Sequence, residues 1–353
     1  ARLTVFRGGF DAEAAQRVAD AGAGTLDALV GYSLLRRGND GRYDLHESLR
    51  QYAGEKVSAD PEAAAALREA HARHYAGMLT GLRADLRAAG QVAALEQVQR
   101  ELDNARLAWE WLVDRRDGQT LANCGESLYQ FFSIRSRFFE GAGWFEAAAA
   151  ALEGLEEARG WMAALLSRQG ALQQRARLHD EALNALERAR AILAEDDEPQ
   201  EMAFCLIGLG GVYLRRKTFD PALKASRQAQ ELFERADSLD GVSYALYLQG
   251  LILDRMGDFE AAEPLVERAV SVARRSGNPR RKIAPLNLLG DLACIRGDYP
   301  AAEQIFAEVL ETCRQLDDRF NLGIVVNNLA TVYHLTGRYD LAEGTYRESL
   351  TIC

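Results

Sequence analysis

Gly250-Leu-Ile-Leu-Asp-Arg-Met-Gly-Asp-Phe-Glu-Ala-Ala262 returns forty residues later as Gly290-Asp-Leu-Ala-Cys-Ile-Arg-Gly-Asp-Tyr-Pro-Ala-Ala302. The same frame extends in both directions. Gly170, Gly210, Gly250, Gly290 and Ala330 share one slot, and Ala182, Ala222, Ala262, Ala302 and Ala342 share another twelve residues on. Leu166, Leu206, Leu246, Leu286 and Val326 precede the glycine slot by four residues. His179, Phe219, Phe259, Tyr299 and Tyr339 follow it by nine. A later slot holds Ala189, Ala229, Ala269, Val309 and Ser349. Five registers held over five cycles define a tandem array. Small residues at two fixed places let two helices approach closely, and the leucine and the aromatic are expected to fill the gaps beside that crossing. Gly257, Gly297 and Gly337 sit between the helices, where a left-handed residue can end the first one. Each unit is thus a helical hairpin that buries its apolar face only by stacking on a neighbour.

This pattern resembles the tetratricopeptide repeat, whose usual unit is ~34 residues. Here the unit is forty, and the added length falls in the inter-repeat loops 194–199, 235–240, 276–279 and 316–319. Longer units of this kind are similar to those of kinesin light chains and large bacterial regulators. Val325-Val-Asn-Asn-Leu-Ala-Thr-Val-Tyr333 is close to the kinesin light chain pattern. The expected fold is all-α: a right-handed solenoid of five repeats over 161–353. A degenerate hairpin over 121–160 precedes it, with Tyr129, Phe131, Phe132, Trp144 and Phe145 but without the small-residue slots. The array reaches Cys353 without a polar capping helix, so the chain is expected to continue or to pair there with another chain.

The bulk numbers narrow the function. A net charge of −10 argues against a broad nucleic-acid-binding face. The five cysteines, at 124, 205, 294, 313 and 353, have no CxxC spacing, so neither a zinc site nor a disulfide framework is expected. No stretch reaches the ~18 to 20 apolar residues of a membrane span, and no basic-then-apolar leader is present, so the expected location is the cytoplasm. The sequence contains no GxxxxGK[ST], GxSxG or HExxH, so no catalytic residue is assigned and no cofactor is expected in this chain.

Residues 1–60 read differently. Helices over Asp11–Asp20 and Thr25–Tyr32 precede a β-hairpin of 34–37 and 42–45 around Gly38-Asn39-Asp40-Gly41. A helix follows from His46 to Val57, which makes a winged-helix order; 61–120 are linking helices. The 8 basic and 9 acidic residues of 1–60 give a net charge of −1. The second helix, Thr25-Leu-Asp-Ala-Leu-Val-Gly-Tyr32, has nothing to read base edges, so DNA binding is not expected here.

Leu3-Thr-Val-Phe-Arg-Gly-Gly-Phe10, Leu29-Val-Gly-Tyr-Ser-Leu-Leu-Arg36 and Arg42-Tyr-Asp-Leu-His-Glu-Ser-Leu-Arg-Gln-Tyr-Ala53 resemble the winged-helix domain of bacterial STAND signal-transduction ATPases, including LuxR-like and AfsR-like regulators. His71-Ala-Arg-His-Tyr75 and Glu101-Leu-Asp-Asn-Ala-Arg-Leu-Ala-Trp109 resemble the stretch that follows it. The resemblance implies an ATP- or ADP-binding core upstream of Ala1, and a partner surface for it on the winged helix. Leu45-His46-Glu47 falls where that family has a Met-His-Asp-like motif whose histidine touches the ADP phosphates. His46 is implied as a nucleotide sensor, against the alternative that it only caps its helix; Glu47 departs from the family's aspartate. His71 and His74 are read as packing residues rather than metal ligands.

In such arrays the first helix of each hairpin lines a concave groove. Slots six and three before the small residue, and one, four and five after it, point inward. Phe204, Ile207, Tyr244, Tyr247 and Leu251 make an apolar, aromatic stretch. Arg175, Arg215 and Arg255 recur in one slot, and Asn287, Asp291, Asn327 and His334 make a polar stretch. Tyrosine and arginine favour binding hot spots. Asparagine amides can grip a peptide backbone, and the resemblance implies that part for Asn327 and Asn328. The expected function is therefore the sensor and switch region of a STAND-type regulator. A protein or peptide inducer would bind the groove, and oligomerisation would follow activation. The alternatives are a peptide-controlled DNA-binding regulator and a passive assembly scaffold.

Overall fold

The computed structural model describes residues 1–88, 90–195 and 197–352. Asp196, in the first of the inter-repeat loops, and Cys353, at the end of the array, lie outside the described residues. The described residues are all-α apart from one short hairpin, and the chain divides into two compact units. The first comprises 1–86, 93–131 and 144–165; the second comprises 87–92, 132–143 and everything from Leu166 onward.

The first unit begins with α1 (Ala12–Ala19) and α2 (Ala23–Gly31), then β1 (Arg36–Arg37) paired antiparallel with β2 (Tyr43–Asp44), then α3 (Glu47–Ser58). Asp11 starts α1 by accepting the Ala14 amide at 2.7 Å. The hairpin is shorter than its sequence suggests. Leu35 and Leu45, at its inner ends, leave the ladder to enter the core. A third segment joins it: the Phe10 and Tyr43 amides each donate to the other's carbonyl, at 2.9 and 2.8 Å. Phe6 and Phe10 stack at 4.5 Å, and the His71 and Tyr75 rings close over Phe6.

The helices α4 (Pro61–Gly81), α5 (Gln91–Arg100) and α6 (Leu102–Asp114) follow. Asn104 of α6 links them to the N-terminal segment. Its Oδ1 accepts the Arg7 amide at 2.7 Å, and its Nδ2 donates to the Gly9 carbonyl at 2.9 Å and to Glu101 at 3.0 Å. Glu101 in turn pairs with Arg42 of the hairpin, with both side chains nearly buried. Arg50 of α3 donates to the carbonyls of Phe6 and Leu45. His71 lies 3.3 Å from the Asn104 Oδ1. Burial holds its imidazole at about 4, only partly opposed by the Asn104 bond, so it stays neutral and acts as a hydrogen-bonded core residue. The Glu101–Asn104 stretch is thus the polar clasp of this unit.

The helices α7 (Gly118–Ile134) and α8 (Phe138–Ala151) come next, in the stretch read from the sequence as a degenerate hairpin. It does carry small-residue contacts. A β-carbon on Gly125 would stand 3.2 Å from the Phe145 ring, and one on Gly141 would stand 2.7 Å from Phe132. These glycines meet aromatic rings rather than alanines, which hides them from the repeat's own register.

Ten helices follow in five hairpins: α9 (Arg159–Arg175) with α10 (His179–Leu193), α11 (Pro199–Arg215) with α12 (Phe219–Arg235), α13 (Leu239–Met256) with α14 (Phe259–Ser276), α15 (Ile283–Ile295) with α16 (Tyr299–Gln315), and α17 (Arg319–Leu335) with α18 (Tyr339–Ile352). Every leucine or valine and every alanine of the two buried registers is buried. The aromatic register behaves otherwise than expected. It forms the first residue of each second helix, at the edge of the turn, and Phe259 and Tyr339 are exposed. Residues 177, 217, 257, 297 and 337 all have positive φ, so the five turns share one left-handed helix end. Three of these positions are glycine; Arg177 and Lys217 adopt the same conformation against the usual steric penalty.

The helix crossing depends on what lies sixteen residues beyond the glycine. At Gly290 a β-carbon would meet the ring of fully buried Phe306 at 2.5 Å. At Gly170 and Gly250 it would meet Leu186 and Val266 at 2.6 and 2.5 Å. At Gly210 the equivalent residue is Ser226, and the nearest atom is a Leu248 methyl at 3.0 Å. Gly290→Ala is therefore expected to destabilise the chain by about 1–3 kcal/mol, the usual cost of overpacking. Gly210→Ala is expected to cost under about 1 kcal/mol, because the helix-propensity gain offsets a small clash. Urea denaturation of the two variants checks this; equal losses would contradict the crossing geometry.

Candidate functional site

Within the second unit, successive first helices touch: α11 with α13, α13 with α15, and α15 with α17. Contacts between successive second helices are sparse or absent. The array therefore curves with its first helices inside, and their inward side chains form the groove.

The structure gathers one group of these side chains around α13 and α15. Tyr244 and Tyr247 lie one turn apart on α13, with rings 5.7 Å apart. Tyr247 is held in the fields of Arg215, Arg255 and Asp291, and burial pushes its hydroxyl well above the usual tyrosine range. Asn328 of α17 donates through Nδ2 to Asn287 at 3.3 Å and to Asp291 at 3.2 Å. Its donors are thus engaged within the protein, which leaves the Asn287 amide better placed than Asn328 to donate to a bound backbone. Ile207 and Leu251 are half-buried among these first helices.

Asp291 is reached by water, yet it lies among α13, α15 and α17. The protein around it displaces much of the bulk solvent. That desolvation, reinforced by the charge of Asp254 and opposed by Arg255, raises its carboxyl to about 6. Asp254 is itself pushed up by burial, with Arg255 opposing. Asp254 sits in the inward slot four residues after Gly250, a slot from which the sequence reading took only His334. Its signal was present in the register.

The other sequence-derived positions fall elsewhere. Arg175 lies over the Phe138 ring at 4.7 Å, and Phe204 lies under Arg168 at 4.8 Å. Arg168 also pairs with Glu201, so this end of the array is a stacked ion pair rather than an open apolar wall. His334 packs edge-on against Tyr339 at the last turn, 5.5 Å away. Asn327 is exposed, and its carbonyl accepts the Thr331 hydroxyl at 3.0 Å. In the first unit, His46 is exposed and its Nδ1 accepts the Ser48 amide at 3.3 Å, which caps α3. Glu47, beside it, pairs with Arg7 and Arg50.

Among the described residues no group of three or more histidines, cysteines or carboxylates could hold a metal ion. No described helix is long and apolar enough to cross a membrane. Cys124, Cys205 and Cys313 are buried free thiols.

The comparisons with known proteins bear on this arrangement. Residues 201–275 and 281–353 match the tetratricopeptide repeat family. A comparison with curated proteins finds no match. Among solved structures, the chain is similar to a Signal Transduction ATPase with Numerous Domains (STAND) protein with a tetratricopeptide repeat sensor from Pyrococcus horikoshii. The TM-score is 0.70 at 15% identity, over 99% of this chain and 49% of that one. This chain thus spans about half the length of that protein. It is also similar to BtubC from P. vanneervenii, with a TM-score of 0.50 at 19% identity over 62% of this chain and 90% of that one. A Rap protein complexed with competence and sporulation factor gives a TM-score of 0.51 at 14% identity, over 80% of this chain and 98% of that one. These likenesses establish a shared fold.

The Asp291 environment has a consequence for pH. A carboxyl raised in the folded state binds its proton more tightly there than in the unfolded chain. Its contribution to stability is therefore lost as pH rises from ~4, the ordinary carboxylate range, through about 6. Asp291→Asn removes that loss. Between pH 5.0 and 7.5 the Tm of the variant is expected to rise relative to that of the wild type. A constant difference across that range would contradict the assigned environment.

Proposed function

We propose that this chain is the ligand-sensing and autoinhibitory region of a STAND-type signal-transduction regulator, and that its groove binds a protein or peptide inducer. The observation that carries the binding role is the mixed inner surface of α13, α15 and α17. Two neighbouring tyrosines, two carboxylates, an asparagine pair and a flanking arginine lie together there on the inside of a repeat array. Aromatic side chains supply contact area at low entropic cost, and the amides and carboxylates supply direction. The Rap neighbour was solved complexed with competence and sporulation factor, which fits a ligand-binding use of the fold. The regulator role is supported by the order of the elements. A helix–helix–hairpin–helix module precedes the repeats, as in a winged helix, and the likeness to the STAND sensor extends over nearly the whole chain.

In this reading the winged helix carries His46 toward a nucleotide core, and the inducer prefers the state in which the two are apart. A ligand shifts such an equilibrium only by its difference in affinity for the two states. His46 is exposed at the start of α3, where a helix N-terminus favours an anionic phosphate. On the proposed full-length protein, His46→Ala is expected to weaken ADP binding measured by calorimetry. Equal affinity would remove His46 from the sensor and leave it as the helix cap.

The groove is tested on the chain itself. Random heptapeptides displayed on phage are selected on the wild type, and those enriched are titrated against Tyr247→Ala and Asn287→Ala. The expected outcome is peptides whose affinity falls at least about tenfold in both variants, as for a central hot spot. Enriched peptides that ignore both substitutions, or no enrichment at all, would sink the groove as the ligand site.

A further inference from the structure

Arg280 occupies the short 3-10 turn Pro279–Lys282 that leads into α15, on the rim of the groove. Its Nη1 pairs with Asp318, the cap of α17, which is almost wholly buried and also accepts from Asn321. Its Nε donates to the Oε1 of Gln91 at 2.8 Å, across 189 positions of sequence. Its Nη2 is buried with no partner. The charge of Arg175 bears on it from another repeat. Beside it Arg281 lies over the Tyr244 ring at 5.3 Å, with its Nε buried and unpartnered. Asp240, 4.0 Å from Arg281, is engaged by Asn278 at 2.8 Å through one oxygen only.

Two guanidiniums therefore meet two carboxylates, with a third arginine in range and donors left over. What fills the open side of Arg280 is a neutral amide oxygen. Gln91 is 2% exposed, and residues 87–92 pack with this unit although their flanks on both sides belong to the other. A carboxylate in that place would add an ion pair to the bond that the amide oxygen now accepts from this guanidinium.

We propose that Arg280 is a carboxylate-recognising residue of the groove, and that Gln91 occupies it in the ligand-free chain until an acidic group of a peptide displaces it. The idea rests on the groove being the ligand site. Gln91 is a built-in placeholder, offering a neutral acceptor where a carboxylate would add an ion pair.

The first test needs no peptide, so its failure leaves the groove reading intact. Gln91→Glu places a carboxylate in the same position. Hydrogen exchange at the amides of residues 91–93 is measured in the wild type, Gln91→Glu and Gln91→Ala, each with Arg280 and with Arg280→Gln. With Arg280 present, Gln91→Glu is expected to slow exchange at least about tenfold and Gln91→Ala to speed it, because the first adds an ion pair to the bond and the second removes the bond. With Arg280→Gln, wild type and Gln91→Glu are expected to exchange alike. No slowing with Arg280, or equal slowing in both backgrounds, overturns the proposal; the second result would be the helix dipole of α5 acting on any acid.

Arg280→Gln leaves Asp318 without its partner and can unfold the rim, so a second measurement uses Gln91→Glu alone. The introduced carboxyl is expected to titrate below the ordinary glutamate range by NMR; a raised value overturns the assignment. The source of the acid is separated on Gln91→Ala, where the site is open. Heptapeptides selected on it are remade with an amidated C-terminus or with each acidic residue replaced by its amide. Loss on amidation identifies a C-terminal carboxylate, and loss on side-chain replacement identifies an acidic side chain. Affinity retained through both changes overturns the proposal.

Discussion

The whole array depends on one steric condition: the two helices of a hairpin must cross without a side chain between them at one point. Gly290 lies against the ring of Phe306, and Gly250 lies against Val266. Close packing at that point places the alanine register in the core and sets each first helix beside the next. Curvature follows, because the first helices touch while the second helices stand apart. The groove is thus a consequence of the crossing, and its lining is whatever residues the crossing turns inward.

That lining is not uniform along the array. Around α9 and α11 the inner side chains are consumed by their own stack, with Arg168 between Phe204 and Glu201 and Arg175 on Phe138. Around α13, α15 and α17 the tyrosines, carboxylates and asparagines remain accessible to a partner. Polar groups there are partly satisfied and partly desolvated, the condition in which an added ligand group changes the energy most. The same condition recurs at the rim, where Arg280 and Arg281 hold donors without acceptors.

The first unit is held by a different device. Asn104 ties two backbone segments, a glutamate and a neutral histidine into one buried cluster, and Arg50 holds two further carbonyls. Such a network specifies one arrangement of the hairpin module on α4 and α6, since each unpaired member would be costly. His46 stands outside it, at an exposed helix start.

The forty-residue period, the hairpin units and the buried leucine, glycine and alanine registers are properties of the sequence alone. They follow from sterics local to each repeat and reappear in every copy. The edge position of Phe259 and Tyr339, and the glycine–aromatic contacts of Gly125 and Gly141, were not legible, because a register tells which residues recur but not what each one meets. The inward slots were also readable, Asp254 included. The partners within them were not: Asn328 bonding Asn287 and Asp291, or Arg175 resting on Phe138, depends on how far successive repeats rotate. The Gln91–Arg280 bond is the extreme case. No pattern links residues 189 positions apart, and only the tertiary structure, by bringing Gln91 to Arg280, decides that an amide meets that guanidinium.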